Sequence, residues 1–300
     1  MSTLPFPEGP YLWIQAGSYL LVAACVLIAW RSARPLLGLM IGAALLGYVL
    51  EYSETTHTPA PYEYTHAILG LPGKVPLGIV LGWGVIMFAA WHALERLELS
   101  WSAHALSGGL LAVILDFVSD PVFVYLDVWV WKVPTQYYGI PFVNFVGWFF
   151  IVTAYFLSLR LIRHFVPQAR RSTGGIVLFS VLATLPAFLI FSVVMAAYVG
   201  LNTLELTWLP ESLVFTLFLV VPATYAVLQL AKSTSAAAQN TDLWTDRLAL
   251  IVPAYMTLAP YAVYLLGDMH TRYPELALIL PVNLLVVAVG YSWPLMRTAS

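Results

Sequence analysis

The chain has 300 residues, of which 61% are hydrophobic and 9% are charged, and its net charge at pH 7 is −2. A soluble domain carries about a quarter charged residues, so this composition, with a mean hydropathy of +0.84, excludes an ordinary soluble protein and indicates a multi-pass membrane protein. The nearly neutral charge gives no sign of nucleic-acid binding. The single cysteine, Cys25, excludes an intramolecular disulfide.

Apolar runs follow one another along the whole chain, and each is close to the ~20 residues that a transmembrane helix needs. They cover residues 11–30, 36–53, 76–94, 103–126, 142–163, 174–200, 209–231, 246–267 and 275–293. The second run ends in Glu51 and Glu54, which leaves eight spans as the alternative to nine. The sequence therefore predicts an all-α fold, a polytopic transmembrane helical bundle of about nine spans that forms a single integral membrane domain over residues 1–300.

The basic residues predict how this bundle is oriented. With nine spans, ten of the 13 lysines and arginines fall on one side of the membrane. These are Arg31, Arg34, Arg96, Arg160, Arg163, Arg170, Arg171, Lys232, Arg247 and Arg297, and the other side receives Lys74, Lys132 and Arg272. Cytoplasmic loops carry the excess of basic residues. We therefore predict a plasma-membrane protein with its N-terminus outside and its C-terminus in the cytoplasm.

In this orientation the acidic residues of the spans gather in the outer half of the membrane. Glu51 closes the second span, Asp116 and Asp120 close the fourth, and Asn144 opens the fifth. The spacing of four places both aspartates on one helix face, one turn apart. Pro121 follows and is expected to end the helix, because proline cannot donate a backbone hydrogen bond.

Aromatic residues accompany these acids along the chain, which predicts a pocket able to protonate an apolar molecule. Asp116, Asp120 and Glu51 are the candidate catalytic residues. The candidate substrate-binding residues are Tyr62, Tyr64, Trp83, Trp129, Trp131, Tyr137, Tyr138, Asn144 and Trp148. The alternative is a set of interfacial helix ends within an ordinary aromatic belt. We favour the pocket because charges within membrane segments are rare and usually functional.

Metal and diphosphate chemistry find little support in the sequence. The six histidines are scattered, and none has the spacing that places two imidazoles on one metal ion. His92 is interpreted as a hydrogen-bonded packing residue. Prenyl transfer would require two Asp-rich clusters to hold magnesium, and a second cluster is absent. We therefore predict no metal site.

The motifs DFVSDP, VWVWK and YYGIPFVNFVGW together resemble those of bacterial and archaeal carotenoid-biosynthesis membrane proteins. That family includes the carotenoid 1',2'-hydratases of the bisanhydrobacterioruberin and γ-carotene type. Glu51 followed by PYEY and LGLPGKVPLGIVLGW is also similar to the family. The resemblance covers residues 48–150, which we take as the catalytic half, whereas residues 151–300 match only as additional transmembrane helices.

The resemblance implies a hydro-lyase that adds water across the terminal double bond of an acyclic carotenoid end group, without a cofactor. Its partners would be the carotenoid, water, the lipid bilayer and other enzymes of the carotenoid pathway. The aspartate pair would share the proton that is donated, aromatic faces would stabilise the tertiary cation, Asn144 would orient water and Glu51 would take the final proton. Two alternatives stay open: a carotenoid cyclase or isomerase that uses the same cation, and a proton-coupled carrier that is not an enzyme.

Overall fold

A computed structural model of the protein describes residues 4–32, 34–166, 173–204, 210–234 and 243–296. Within these ranges the chain folds as an all-α bundle, and nine helical segments are long and apolar enough to cross a membrane. The predicted fold class is thus confirmed. Arg170, Arg171 and Arg297, which contributed to the predicted orientation, lie outside the described residues, and the orientation stays a prediction.

The segments that can cross the membrane begin and end close to the predicted runs. The first five are α1 (Gly9–Ser32), α2 (Arg34–Thr56), α3 (Leu77–Leu94), α4 (Trp101–Tyr125) and α5 (Phe142–Phe165). The sixth joins α6 (Thr173–Leu182) to α7 (Thr184–Thr203), and the seventh joins α8 (Glu211–Phe215), a π-helical turn (Thr216–Val220) and α9 (Val221–Lys232). The last two are α10 (Leu243–Leu266) and α12 (Leu276–Met296), with the short α11 (Met269–Arg272) between them.

The helices α3 and α4 form the centre of the bundle. In their most apolar windows 72% and 78% of the residues are buried, compared with 17% in the segment formed by α8 and α9. Glycines allow α4 to approach α5 closely: a Cβ on Gly108 would lie 2.3 Å from the Phe156 ring, and one on Gly109 would lie 2.4 Å from the Phe149 carbonyl oxygen. Small residues serve the same purpose in other membrane bundles. The helices α4 and α5 therefore pack closely against each other.

The helix α4 passes through Pro121 and continues to Tyr125, so the prediction that Pro121 ends the helix was wrong. Proline cannot donate to the carbonyl four residues earlier, which here belongs to Phe117. The Tyr137 hydroxyl donates to the Phe117 carbonyl oxygen at 3.2 Å instead. A side chain from the following loop thus replaces the missing backbone hydrogen bond.

Two short antiparallel strand pairs connect the helices at one end of the bundle. β1 (Tyr62–Tyr64) pairs with β4 (Trp129–Trp131), whereas β2 (Gly70–Leu71) and β3 (Val75–Pro76) flank a 3-10 turn at Pro72–Lys74. In the first pair Tyr62 lies opposite Trp131 and Tyr64 lies opposite Trp129. Because side chains alternate along a strand, these four rings share one face. We call β1 and β4 together the aromatic ribbon.

The other face of the aromatic ribbon is polar and exposed. Lys132 Nζ donates to Glu63 Oε2 at 2.7 Å, and this ion pair joins the two strands. The hydrogen bond from Lys132 and its positive charge lower the pKa of Glu63. An exposed pair of this kind contributes at most about 1 kcal/mol, so the aromatic face provides most of the stability of the ribbon.

Candidate active site

A cavity of about 100 Å³ lies at the end of the bundle where α2 and α4 finish, and the aromatic ribbon forms part of its wall. Helices α1, α2, α3, α4, α5 and α10 all contribute to its lining. The polar lining residues are Gln15, Ser18, Glu51, Tyr62, Tyr64, Asp120 and Asn144, and the other aromatic ones are Tyr11, Trp83, Phe123, Trp129, Trp131 and Trp148. Acids from separate parts of the sequence thus meet aromatic rings in one place.

Asn144 joins the two aspartates. Its Nδ2 atom, in the first turn of α5, donates to Asp116 Oδ2 at 2.8 Å and to Asp120 Oδ2 at 2.6 Å. Both aspartates are buried, at 0% and 2% exposure, and their Oδ2 atoms lie close together because both accept from the same nitrogen. Two ionised carboxylates so near each other repel, which favours a state in which one of them holds a proton. The geometry therefore suits a pair that shares one proton.

The two members of the pair differ in their access to the cavity. Asp120 lines it, whereas Asp116 lies one helical turn further from the end of α4 and is not part of the lining. Asp116 Oδ1 has no hydrogen-bond donor within reach in the part of the chain that the structure describes. This arrangement makes Asp120 the carboxyl group that can meet a bound molecule, with Asp116 as its partner for the proton.

Glu51 is held in the cavity wall by three donors. The hydroxyls of Tyr62 and Tyr64 donate to Oε2 at 2.5 and 2.7 Å, and Trp83 Nε1 donates to Oε1 at 3.1 Å. Burial and the neighbouring Glu51 keep the pKa of Tyr62 and Tyr64 well above the usual tyrosine value, so both remain donors. Hydrogen bonds to a carboxylate stabilise its charge. Among the described residues Trp83 is the one donor to Oε1, which leaves this oxygen a lone pair.

The acids come from different helices around the cavity. Glu51 of α2 and Asp120 of α4 both line it, and among the described residues no three His, Cys, Asp or Glu side chains lie close enough to hold one metal ion. Nor does Asp116, Asp120 or Glu51 form an ion pair within the described ranges. A molecule in the cavity would therefore have the aspartate pair on one side and Glu51 on another.

Most of the predicted aromatic residues come together around this space. The rings of Trp83 and Trp148 lie 4.4 Å apart between centroids. Within the aromatic ribbon the ring of Tyr62 lies 4.8 Å from that of Trp131, and the ring of Tyr64 lies 5.9 Å from that of Trp129. These six side chains give the cavity electron-rich faces on several sides.

Two predicted substrate-binding residues lie elsewhere. Tyr137 packs against Phe117 and Phe145 and supports α4 through its hydroxyl, and Tyr138 contacts Tyr273 with ring centroids 5.5 Å apart. Neither lines the cavity. Their position behind the α4–α5 connection suits support of the loop better than contact with a ligand in the cavity.

The sequence interpretation did not include α1 in the site. Gln15 Nε2 donates to the Tyr11 hydroxyl at 2.8 Å, and Gln15 Oε1 accepts from the Ile68 backbone N–H at 2.6 Å. Gln15 is thus a lining residue that also fastens the loop after β1, rather than a simple helix–helix contact. Tyr11, Gln15 and Ser18 recur at spacings of four and three, which places them on one helix face. That spacing was the feature of the sequence that could have placed α1 in the site.

The fold and the site define a polytopic membrane protein whose buried acids face an aromatic cavity inside the bundle. The sequence matches the carotenoid biosynthesis protein family over residues 9–221, and the chain belongs to that family. The matched range contains every residue that lines the cavity except Met256. No curated protein and no solved structure matches the chain. The protein therefore has a role in carotenoid biosynthesis.

Proposed function

We propose that the protein is a carotenoid 1',2'-hydratase, a hydro-lyase that adds water across the terminal double bond of an acyclic carotenoid end group. The observation that carries this proposal is the pair of buried aspartates bridged by Asn144, with Glu51 on another wall of the same cavity. Hydration requires an acid, an acceptor for the proton of water, and stabilisation of a cation, and it changes no oxidation state.

The aspartate pair supplies the acid. The proton that Asp116 and Asp120 share passes from Asp120 to C2' of the end group, and the electrons of the double bond form the new C–H bond. C1' becomes a tertiary cation, and the pair, which carried one negative charge while it shared the proton, now carries two beside the cation. A positioned general acid of this kind contributes about 10²–10⁴-fold to a rate.

Aromatic faces and Glu51 complete the reaction. The rings of Trp83, Trp129 and Trp131 lie where they can face the cation, and each such contact is worth ~0.5–2 kcal/mol. Asn144 Nδ2 is engaged by the aspartates, so its carbonyl oxygen is the atom that would hold water. The water oxygen bonds to C1' and its proton passes to Glu51 Oε1. The product is a tertiary alcohol, and the proton returns to the aspartates through water.

The polar lining favours hydration of the cation over its cyclisation or isomerisation. Gln15, Ser18 and Asn144 border the cavity and give water a place to bind, whereas a cyclase or isomerase gains from a dry pocket. A proton-coupled carrier would need a polar path through the bundle. Beyond the cavity the described parts of α2, α3 and α5 pack Leu46, Met87, Phe88 and Tyr155 into a buried core, which favours an enzyme.

Expression in cells that accumulate lycopene tests the proposal. We expect a pigment whose mass has increased by that of one water molecule and which is absent from cells with an empty vector. A pigment of unchanged mass with a cyclised or isomerised end group would support the alternative enzyme instead. Unaltered lycopene beside abundant membrane-inserted protein would contradict catalysis on this end group.

A further inference from the structure

One face of α3 gives the cavity an open, apolar side. Gly78, Ile79 and Gly82 line the cavity and share this face, and all three are partly exposed. A Cβ added to Gly82 would meet no atom within 4 Å. Gly82 lies in the interior of a membrane-crossing helix, so the free space beside it is at the depth of the hydrocarbon layer.

The surroundings of this face are apolar. Ile14 of α1, Met256 of α10 and Ile86 of α3 border the same cavity. The helix rises 1.5 Å per residue, so the distance from Gly78 to Ile86 is about 12 Å along the axis. We call the side formed by Gly78, Ile79 and Gly82 the glycine slot; Gln15 covers it at Gly78, where an added Cβ would lie 3.3 Å from Gln15 Cγ, and among the described residues it is open at Gly82. It reaches from the level of the acids towards the middle of α3.

The aromatic ribbon forms the wall of the cavity at the end of the bundle where α2 and α4 finish, and the hydroxyls of Tyr62 and Tyr64 fix it to Glu51. Gln15 ties α1 to the backbone of Ile68 at the same end. An apolar ligand dissolved in the bilayer would therefore reach the acids from the side, where no side chain fills the space at Gly82.

We propose that the glycine slot holds the linear polyene next to its reacting end group, and that Gly82 is a specificity-determining residue that admits a linear, acyclic chain. This inference rests on the proposed function for the identity of the substrate. A conjugated chain is narrow and stiff, so it fits a slot whose wall has no side chain at position 82. A side chain at position 82 would occupy the volume that the chain needs.

Gly147 provides a matched control. It also lies in a membrane-crossing helix, and a Cβ added to it would likewise meet no atom within 4 Å. Gly147 does not line the cavity. The same substitution at position 82 and at position 147 therefore adds the same atoms to a helix, at sites with equal free space around the new Cβ. Only the substitution at position 82 places these atoms in the glycine slot.

The test measures the pigment that co-purifies with the protein from lycopene-accumulating cells, as pigment per protein. We expect retention to fall from wild type through Gly82→Ala to Gly82→Leu, by about tenfold or more for leucine. Gly147→Ala and Gly147→Leu should retain pigment as wild type does. If the leucine variant at 82 fails to insert, the alanine variant, which helices favour over glycine, still tests the proposal.

The outcomes separate this inference from the proposed hydration. Pigment retained by wild type and lost on substitution of Gly82 supports the slot, even where no hydrated product forms. Equal retention by the Gly82 variants would overturn it, even where wild type hydrates lycopene. Equal loss on substitution of Gly147 would overturn it as well, and so would a wild-type protein that retains no pigment.

Discussion

Two polar regions at opposite ends of α3, both within the described residues, differ in their balance of charge. Towards one end of α3, Asp246 accepts hydrogen bonds from His92 Nε2 at 2.7 Å and from Arg96. His92 is thus hydrogen-bonded, as the sequence predicted. At the cavity Asp116 and Asp120 lie together and Glu51 lies on another helix, and within the described ranges none of the three forms an ion pair.

This difference separates a structural role from a chemical one. An anion that is buried beside a cation has its charge compensated, and removing one partner mainly destabilises the fold. Buried acids without a cation are costly, and such groups cluster at functional sites. The cluster of His92, Arg96 and Asp246 fastens α10 to α3, whereas Asp116, Asp120 and Glu51 are the groups that we propose to move protons.

The sharpest test of this contrast replaces the aspartates of the cavity. Asp116→Asn and Asp120→Asn should each lower hydration by at least about 10²-fold, because the pair then loses either its proton donor or the partner that shares the proton. Asparagine keeps the shape and can still bond to Asn144, so both variants should insert normally. The measurement is the hydrated fraction of the pigment in membranes with matched protein levels.

Glu54→Gln is the control for these variants. Glu54 lies on the same helix as Glu51, is half-buried and does not line the cavity. The Glu54→Gln variant should therefore hydrate lycopene almost as the wild-type protein does. Near-normal hydration by both aspartate variants would show that the proton comes from another group.

Replacing Glu51 tests the other wall of the cavity. Glu51→Gln should lower hydration by about 10²-fold, because the amide cannot take the proton of the attacking water. Tyr62→Phe and Tyr64→Phe should each have a smaller effect, since each removes one of three hydrogen bonds to the carboxylate. Equal losses for the tyrosine and glutamate variants would indicate that Glu51 only supports the ribbon.

Asp246→Asn tests the opposite region. It should lower the free energy of unfolding by about 1–3 kcal/mol, because Arg96 and His92 lose a charged partner. The thermal midpoint in detergent measures this effect. Hydration per folded protein should stay near the wild-type value, and a fall as large as that of the aspartate pair would contradict the division of roles.

The smallest effect is expected at Tyr137. Tyr137→Phe removes the hydrogen bond to the Phe117 carbonyl oxygen and should destabilise the protein by about 1 kcal/mol. Hydration should remain close to normal, because this ring does not line the cavity. A strong rise in KM with unchanged stability would instead support the predicted contact between Tyr137 and the substrate.

The predictable part of this structure follows from local patterns. Hydropathy over about 20 residues located the spans, and the spacing of Asp116 and Asp120 placed both on one face of α4. Glu51 and Asn144 stood out as polar residues at the ends of apolar runs. Each of these signals lies within one helix, so a single sequence is sufficient to see it.

The remaining features depend on residues far apart in the chain. The pairing of Tyr62 with Trp131 joins segments that no periodicity relates, so the aromatic ribbon could not be predicted. The continuation of α4 through Pro121 could not be foreseen, because the side chain that replaces the missing hydrogen bond, Tyr137, lies in the following loop. The role of Gln15 depends on its hydrogen bond with the backbone of Ile68, which lies in the loop between β1 and β2.

The central claim is that the end group is protonated and then captured by water. Isotope labelling tests it directly: lycopene is incubated with wild-type membranes in D₂O, and separately in water enriched in ¹⁸O. We expect a single non-exchangeable deuterium on C2', the neighbour of the carbon that bears the new hydroxyl, and a hydroxyl oxygen that comes from water. A hydroxyl oxygen derived from O₂, or a product without deuterium on that carbon, would contradict the account.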